Sequence, residues 1–396
     1  MAKFVKAHHD NPYPDYPSAS SNSKDDHFDQ RGKIAASFER HWAEILGKIP
    51  RLDYKSYSIY TGTSGLALLM LLKDPQSAQN LHDIKDLLQL NRLRGNTCSF
   101  LCGDAGPLAI GAVVSYKLGE LDSCRSLCKK LLSMHDSVVN EKSEVPDELL
   151  YGRAGYLFSL LYLNKHIAST PVEDGFIRET VAAILNSGSQ QAKIGGHRCP
   201  LMFKFHSRTY LGAAHGISGI MCVLLQAREH LTKDELENLV RPTIEYVARQ
   251  KFPGGNFPAC LESDVDDRVQ WCHGAPGVLY MFTNAYKALG DARYLEMALQ
   301  CGEVTWQRGI LKKGYSICHG VAGNAYCFLE LYQVTRDPKH LHRGMMFAEW
   351  CADFEKRFEG YTPDRPLSLF EGVFGRTYLL LDVQNPLEAR FPGYAL

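Results

Sequence analysis

The chain has 396 residues, 45% of them hydrophobic, and its 44 Lys and Arg balance 44 Asp and Glu for a formal net charge of zero. That length accommodates one large core or two to three ordinary domains, and a charge balance without a basic stripe argues against nucleic acid or an anionic bilayer as a partner. Met1-Ala2-Lys3-Phe4 offers neither a secretory core nor a Gly at position 2 for myristate, and the most apolar run, Leu66 to Leu72, is too short to span a bilayer.

A cytoplasmic protein is therefore expected, with its twelve cysteines reduced and serving as core filler, metal ligands or reactive thiols. Residues 1–30 are polar, rich in Pro and Ser, and without apolar periodicity, so they read as a flexible or extended arm ahead of one domain over 31–396. From about Ala35 the pattern is helical, with Ile34, Phe38, Trp42, Ile45 and Leu46 on one face.

A repeat follows. Gly-x-x-Gly units stand at Gly62–Gly65, Gly103–Gly106, Gly152–Gly155, Gly216–Gly219, Gly274–Gly277, Gly320–Gly323 and Gly372–Gly375. Their spacing of roughly 40 to 65 residues is that of stacked supersecondary units. Each unit precedes a strongly apolar segment, such as Leu66 to Leu72 or Ala325 to Tyr332, that reads as a buried helix. In most copies an amphipathic helix comes next, clearest after the capping box Thr232-x-x-Glu235, whose stripe of Leu236, Leu239, Val240, Ile244 and Val247 ends before Pro253. Period-two runs are missing. An all-α domain of seven helical hairpins is expected, and uniformly apolar inner helices favour closure into a ring over an open solenoid.

Two units carry Cys-His ahead of their glycine: Cys272-His273-Gly274 and Cys318-His319-Gly320. In a ring, equivalent positions of adjacent units lie side by side, which gathers Cys272, Cys318 and His319, with His273 as a fourth candidate. Thiolate and imidazole are preferred Zn²⁺ ligands, and three of them with one open position is the catalytic arrangement; the alternative is buried cysteines beside capping histidines. His215, in the same register one unit earlier, is either a further ligand or a general acid or base. Cys98/Cys102 and Cys124/Cys128 have helical spacing and read as packing, and Asp264, Asp266 and Asp267 as a solvated loop.

Together with Asn11-Pro12-Tyr13, Cys102-Gly103-Asp104-Ala105-Gly106-Pro107, Leu150-Tyr151-Gly152-Arg153-Ala154-Gly155-Tyr156 and Ser368-Leu369-Phe370-Glu371-Gly372, these motifs resemble the lanthionine synthetase C-like family, its eukaryotic branch most of all, from about residue 11 to the end. The resemblance implies an α/α toroid of seven inner and seven outer helices, one zinc held by Cys272, Cys318 and His319, and glutathione as co-substrate. It further implies addition of the glutathione thiol to dehydroalanine or dehydrobutyrine in former phosphoproteins, kinases among the conceivable targets. His215 is then the candidate proton donor to the enolate, with Glu148 as a second candidate. Lys313 would stabilise the enolate or hold a glutathione carboxylate, and Arg365 would be a further carboxylate contact. Tyr361 stands where some relatives carry a basic residue. A glutathione- and zinc-binding adaptor without turnover is the alternative of a different class. A terpenoid cyclase or glycosidase on a similar toroid would need paired carboxylates in the glycine register, and no such pair is found there.

Overall fold

Glycine turns set the geometry of the barrel. The structure, a computed structural model, describes residues 3–16, 23–168, 171–358 and 360–396. After β1 (Lys3–Phe4) and α1 (Ser23–Lys48) come the helical hairpins α2 (Thr63–Lys73) with α3 (Ala78–Leu88), and α4 (Ala105–Lys117) with α5 (Leu121–Leu132) and the short α6 (His135–Val139). Next are α7 (Arg153–His166) with α8 (Asp174–Ile194), then α9 (Ile217–Gln226) with an outer segment built from α10 (Lys233–Glu235), a π-helical turn (Leu236–Val240) and α11 (Arg241–Ala248). After β2 (Val265–Asp266), the chain continues through α12 (Ala275–Leu289) with α13 (Ala292–Arg308), and α14 (Val321–Thr335) with α15 (Pro338–Ala352) and α16 (Phe354–Arg357). It ends on α17 (Val373–Asp382) and a tail.

Helices α2, α4, α7, α9, α12, α14 and α17 touch one another in that order, and α17 returns to α2, so the inner ring is closed. Nearly all their residues are buried, as in α4, where every residue from Ala105 to Ser115 is inaccessible. Such a helix has no polar face and belongs inside a second layer. Outer helices supply that layer, each with one apolar stripe; on α3 it is Leu81, Ile84, Leu87 and Leu88. The last inner helix has no outer helix after it in sequence, and α1 takes that place by packing on α17 and α15. The architecture is an α/α toroid.

Closure at the first glycine-turn end depends on the second glycine of each unit. A Cβ on Gly323 would overlap the Ile317 carbonyl oxygen, and one on Gly106 the Phe100 carbonyl oxygen. Only glycine lets the helix start lie that close to the strand of chain entering it. At the other end the tail enters the barrel, where Phe391 stacks on Trp271 at 4.8 Å and Tyr394 packs edge-on to Tyr280 at 5.2 Å.

The described N-terminal residues run as an extended arm, and two details differ from expectation: where the first helix starts and which face of it is buried. Of the arm expected over residues 1–30, positions 1–2 and 17–22 lie outside the described residues, and residues 3–16 run extended against the body. His9 N–H donates to Ile310 O (2.8 Å), Asn11 Nδ2 to Trp306 O (2.9 Å), and Asp15 pairs with the buried Arg343 at 2.5 Å. Helix α1 already begins at Ser23. Leu46, expected on the buried face, is 45% exposed, and His41 turns inward instead, with Nδ1 3.2 Å from Arg376 Nη2.

Candidate functional site

The residues ahead of the first glycine of each unit form the rim at the N-terminal ends of the inner helices. Backbone hydrogen bonds link the position two residues before that glycine from unit to unit. Cys272 N–H donates to Cys318 O (3.3 Å), Cys318 N–H to Phe370 O (2.9 Å), Phe370 N–H to Tyr60 O (3.1 Å) and Tyr60 N–H to Leu101 O (2.9 Å). The next position, occupied by Thr61, Cys102, Tyr151, His215, His273, His319 and Glu371, is partly or fully exposed in every unit, while the glycine after it is buried. Those seven side chains therefore surround the mouth of the barrel.

Cys272, Cys318 and His319 come together there, with one ligand atom from each lying within 4.8 Å of the other two. Among the described residues this is the one group of three or more His, Cys, Asp or Glu placed to hold a metal ion. Both cysteines are buried and free of disulfides. Hydrogen bonding between the two thiols holds Cys272 below its ordinary value and pushes Cys318 far above its own. Gln270 Nε2 donates to Cys272 Sγ at 3.2 Å, and the Tyr60 hydroxyl faces Cys318. Burial, then Lys313, lowers the His319 imidazole below its ordinary value and keeps it neutral, the form that coordinates metals. Two buried thiols and a neutral imidazole around one point are a soft donor set that fits a divalent ion such as zinc, and burying thiolate charge without a cation would be costly.

The turn carrying Cys272 is braced from behind. Asn256, fully buried, accepts the Ala275 N–H at the start of α12 (2.8 Å) and donates to Asp266 Oδ1 (2.8 Å) and to Arg268 O (3.0 Å). Asp266 in turn pairs with Arg308 at 2.7 Å. The acidic segment is thus not wholly a solvated loop: Asp266 is buried because it has a guanidinium and an amide to bind. Gly274, at φ +114°, completes the turn in a conformation that disfavours other residues.

His215 and Glu148, separate candidates in the sequence, form a dyad, with Nδ1 2.8 Å from Glu148 Oε2. The carboxylate is fixed by the backbone N–H groups of Leu150 (2.9 Å) and Tyr151 (2.6 Å). Phe205 stacks on the His215 ring at 4.7 Å, and Tyr210 lies between His215 (5.8 Å) and His273 (5.6 Å). His273 is not part of the donor cluster, so the fourth ligand candidate is set aside; burial, then Arg268, takes its imidazole down to about 3, and its Nδ1 has no partner.

Lys313 is exposed and near enough to lower the Cys272, His273 and His319 values through its charge. Its carbonyl accepts the Tyr361 hydroxyl at 2.7 Å. Arg365 is exposed and lines a cleft beside Thr61 at the junction of the first and last units. Cys98 and Cys102 lie outside the donor cluster and are pushed up to about 12 by burial, and Cys124 and Cys128 are buried on α5. Sequence reasoning missed Tyr60, Gln270, Asn256 and Glu371. Tyr60 and Glu371 could have been found by aligning the seven units on their glycines, since both occupy rim positions.

Fold and site together define a helical toroid with a Cys, Cys, His cluster and a His–Glu dyad at one rim. The model of the family described as lanthionine synthetase C-like protein matches residues 53–396. A Danio rerio protein named glutathione S-transferase LANCL1 is 44% identical over 400 residues, covering 97% of this chain and 98% of the relative. The solved structure of nisin cyclase, 17% identical, superposes with a TM-score of 0.67 over 93% of this chain and 96% of that one, a likeness of fold. The chain belongs to the lanthionine synthetase C-like family.

Proposed function

We propose that this protein is a zinc-dependent glutathione transferase that adds the glutathione thiol to dehydroalanine or dehydrobutyrine residues of proteins, former phosphoproteins and kinases among them. The observation that carries the reading is the donor cluster of Cys272, Cys318 and His319 on the same rim as the His215–Glu148 dyad. Family membership and the printed name of the Danio rerio relative support glutathione as the thiol. No described helix is long and apolar enough to cross a membrane, which accords with work on protein substrates in the cytoplasm.

In this reading Cys272, Cys318 and His319 hold the zinc. When bound, the ion supplies a Lewis acid that lowers the pKa of a thiol and so makes a thiolate available at neutral pH. Lys313 and Arg365, exposed cations at the mouth, hold the carboxylates of glutathione. Carbon–sulfur bond formation at the β-carbon moves the alkene electrons to the α-carbon and its carbonyl oxygen, whose negative charge Lys313 would stabilise if Arg365 alone held the glutathione carboxylates. His215, protonated and oriented through Nδ1 by Glu148, delivers a proton from Nε2 to the α-carbon. The reaction is an addition in which no group leaves: the thiol proton is released to solvent as the thiolate forms, and the imidazole is reprotonated from solvent after giving its proton to the α-carbon.

Purified protein incubated with glutathione and a dehydrobutyrine peptide tests this. A peptide heavier by one glutathione, formed at a rate proportional to enzyme, is the expected result. Zinc and glutathione bound without any adduct would make the protein an adaptor and overturn the transferase reading.

A further inference from the structure

The toroid is filled unevenly. Residues 389–396 enter it from the end opposite the glycine turns, anchored where Gln333 Nε2 donates to Ala389 O (2.7 Å) and Gln226 Nε2 to Tyr394 O (2.9 Å). The aromatic rings of this tail pack toward Trp271, Tyr280 and Tyr326, on the α12 and α14 side. On the other side, between the tail and the last turns of α2, α4, α7 and α17, a cavity of about 360 Å³ remains. Leu68, Leu71, Val113, Phe158 and Tyr378 make its wall apolar. The pocket opens to solvent at its lip, and its volume is that of a small-molecule site.

Its lip is cationic. Lys117 ends α4, Lys165 and His166 end α7, and Arg390 comes from the tail. Among the described residues neither lysine ammonium has a hydrogen bond or ion pair. Lys117, Lys165 and His166 are exposed at this lip; partial desolvation and Arg390 lower Lys165 while Glu388 raises it, and partial desolvation with Lys165 and Lys117 lowers His166. Acids share the lining: Glu388 attracts Lys165, and Asp382 also borders the pocket, as does Leu396. Glu388 is exposed, and Asp382 is turned to the Tyr326 hydroxyl (3.1 Å) and the Arg390 N–H (3.0 Å). Basic residues at helix C-termini also complement the helix dipole, but that role requires neither a cavity nor unpaired ammonium groups beside it.

We propose that this cavity is a second binding site, at the end of the barrel opposite the thiol cluster, for an amphipathic monocarboxylate. The apolar body fills the space between the tail and the α2, α4 and α7 wall, and the carboxylate meets Lys117 and Lys165. The proposal is independent of the chemistry at the other rim.

Isothermal titration of the full chain with dodecanoate, and separately with dodecanol, tests it. Saturable binding of one dodecanoate per chain is expected, with the alcohol binding at least about tenfold more weakly because it lacks the charge. The double variant Lys117→Met, Lys165→Met keeps the apolar stems at exposed positions and should weaken dodecanoate about tenfold or more. Leu72→Trp, which narrows the lip, should weaken both ligands, and far-ultraviolet circular dichroism checks that each variant is folded. No saturable binding up to about 1 mM, equal affinity for acid and alcohol, or unchanged affinity in the folded double variant would each overturn the proposal.

Discussion

Glu148→Gln keeps the size of the side chain while removing the charge that faces His215. In the structure the carboxylate accepts hydrogen bonds from Leu150 N–H and His215 Nδ1 at Oε2, and from Tyr151 N–H at Oε1. An amide has one acceptor oxygen, so at least one of these donors meets an NH₂ group instead. The charge-assisted bond to an imidazolium contributes about 1.5–3 kcal/mol, and its loss makes the protonated, proton-donating form of His215 that much less populated, lowering kcat by up to about 10- to 150-fold. The assay is the rate of glutathione adduct formation on a dehydrobutyrine peptide at saturating glutathione, followed by mass spectrometry. The Michaelis constant for glutathione and the zinc content should remain at wild-type values, because Glu148 touches neither Lys313 nor the donor cluster. A kcat within about twofold of wild type, or a parallel loss of zinc, would refute the assignment of the dyad to proton transfer.

Gly323→Ala places a Cβ on the Ile317 carbonyl oxygen and should destabilise the fold by about 1–3 kcal/mol, visible as a lower urea midpoint; an unchanged midpoint would remove the close-approach account of the second glycines. Burial pushes the Asp382 carboxyl up to about 7 from an ordinary 3.8. A raised folded value means that the associated stability is complete below the unfolded value and is lost as pH rises through the folded one. The wild type should therefore lose stability from pH 4 to 7, by at most about 4 kcal/mol from this group, and Asp382→Asn, which keeps an acceptor for Tyr326 and Arg390, should flatten that slope in denaturation curves. If the slopes of the two proteins match, the carboxyl is already ionised in the fold.

Much of the fold was legible because the glycine repeat reports a backbone constraint rather than a preference. A carbonyl lies where the Cβ of Gly106 or Gly323 would be, so the residue type is fixed at those positions. The same register made the thiol cluster readable, since Cys272 and Cys318 occupy one repeat position and a hydrogen bond joins their backbones. What escaped depends on contacts between segments far apart in sequence. Asp266 looked like a loop acid because nothing near it reveals that Arg308, on α13, and Asn256 converge on its carboxylate. His215 and Glu148 were each singled out, but their pairing requires chain segments 67 residues apart to meet. Leu46 failed for a different reason: a helix that completes the outer layer against α15 and α17 buries a face set by those partners, and hydrophobicity alone does not fix its width. The N-terminal segment has no periodicity because it binds through individual polar contacts, such as Asn11 with Trp306 and Asp15 with Arg343.

The most direct test of the central claim is the metal content, by mass spectrometry of the purified protein, of the wild type and of Cys318→Ala. Removing one of the three donors that converge within 4.8 Å should reduce bound zinc from about one per chain to a small fraction. Circular dichroism should show the helical ring intact, because helix packing builds the core. Zinc at wild-type levels in the folded variant would contradict the assignment of Cys272, Cys318 and His319 as the thiol-activating centre.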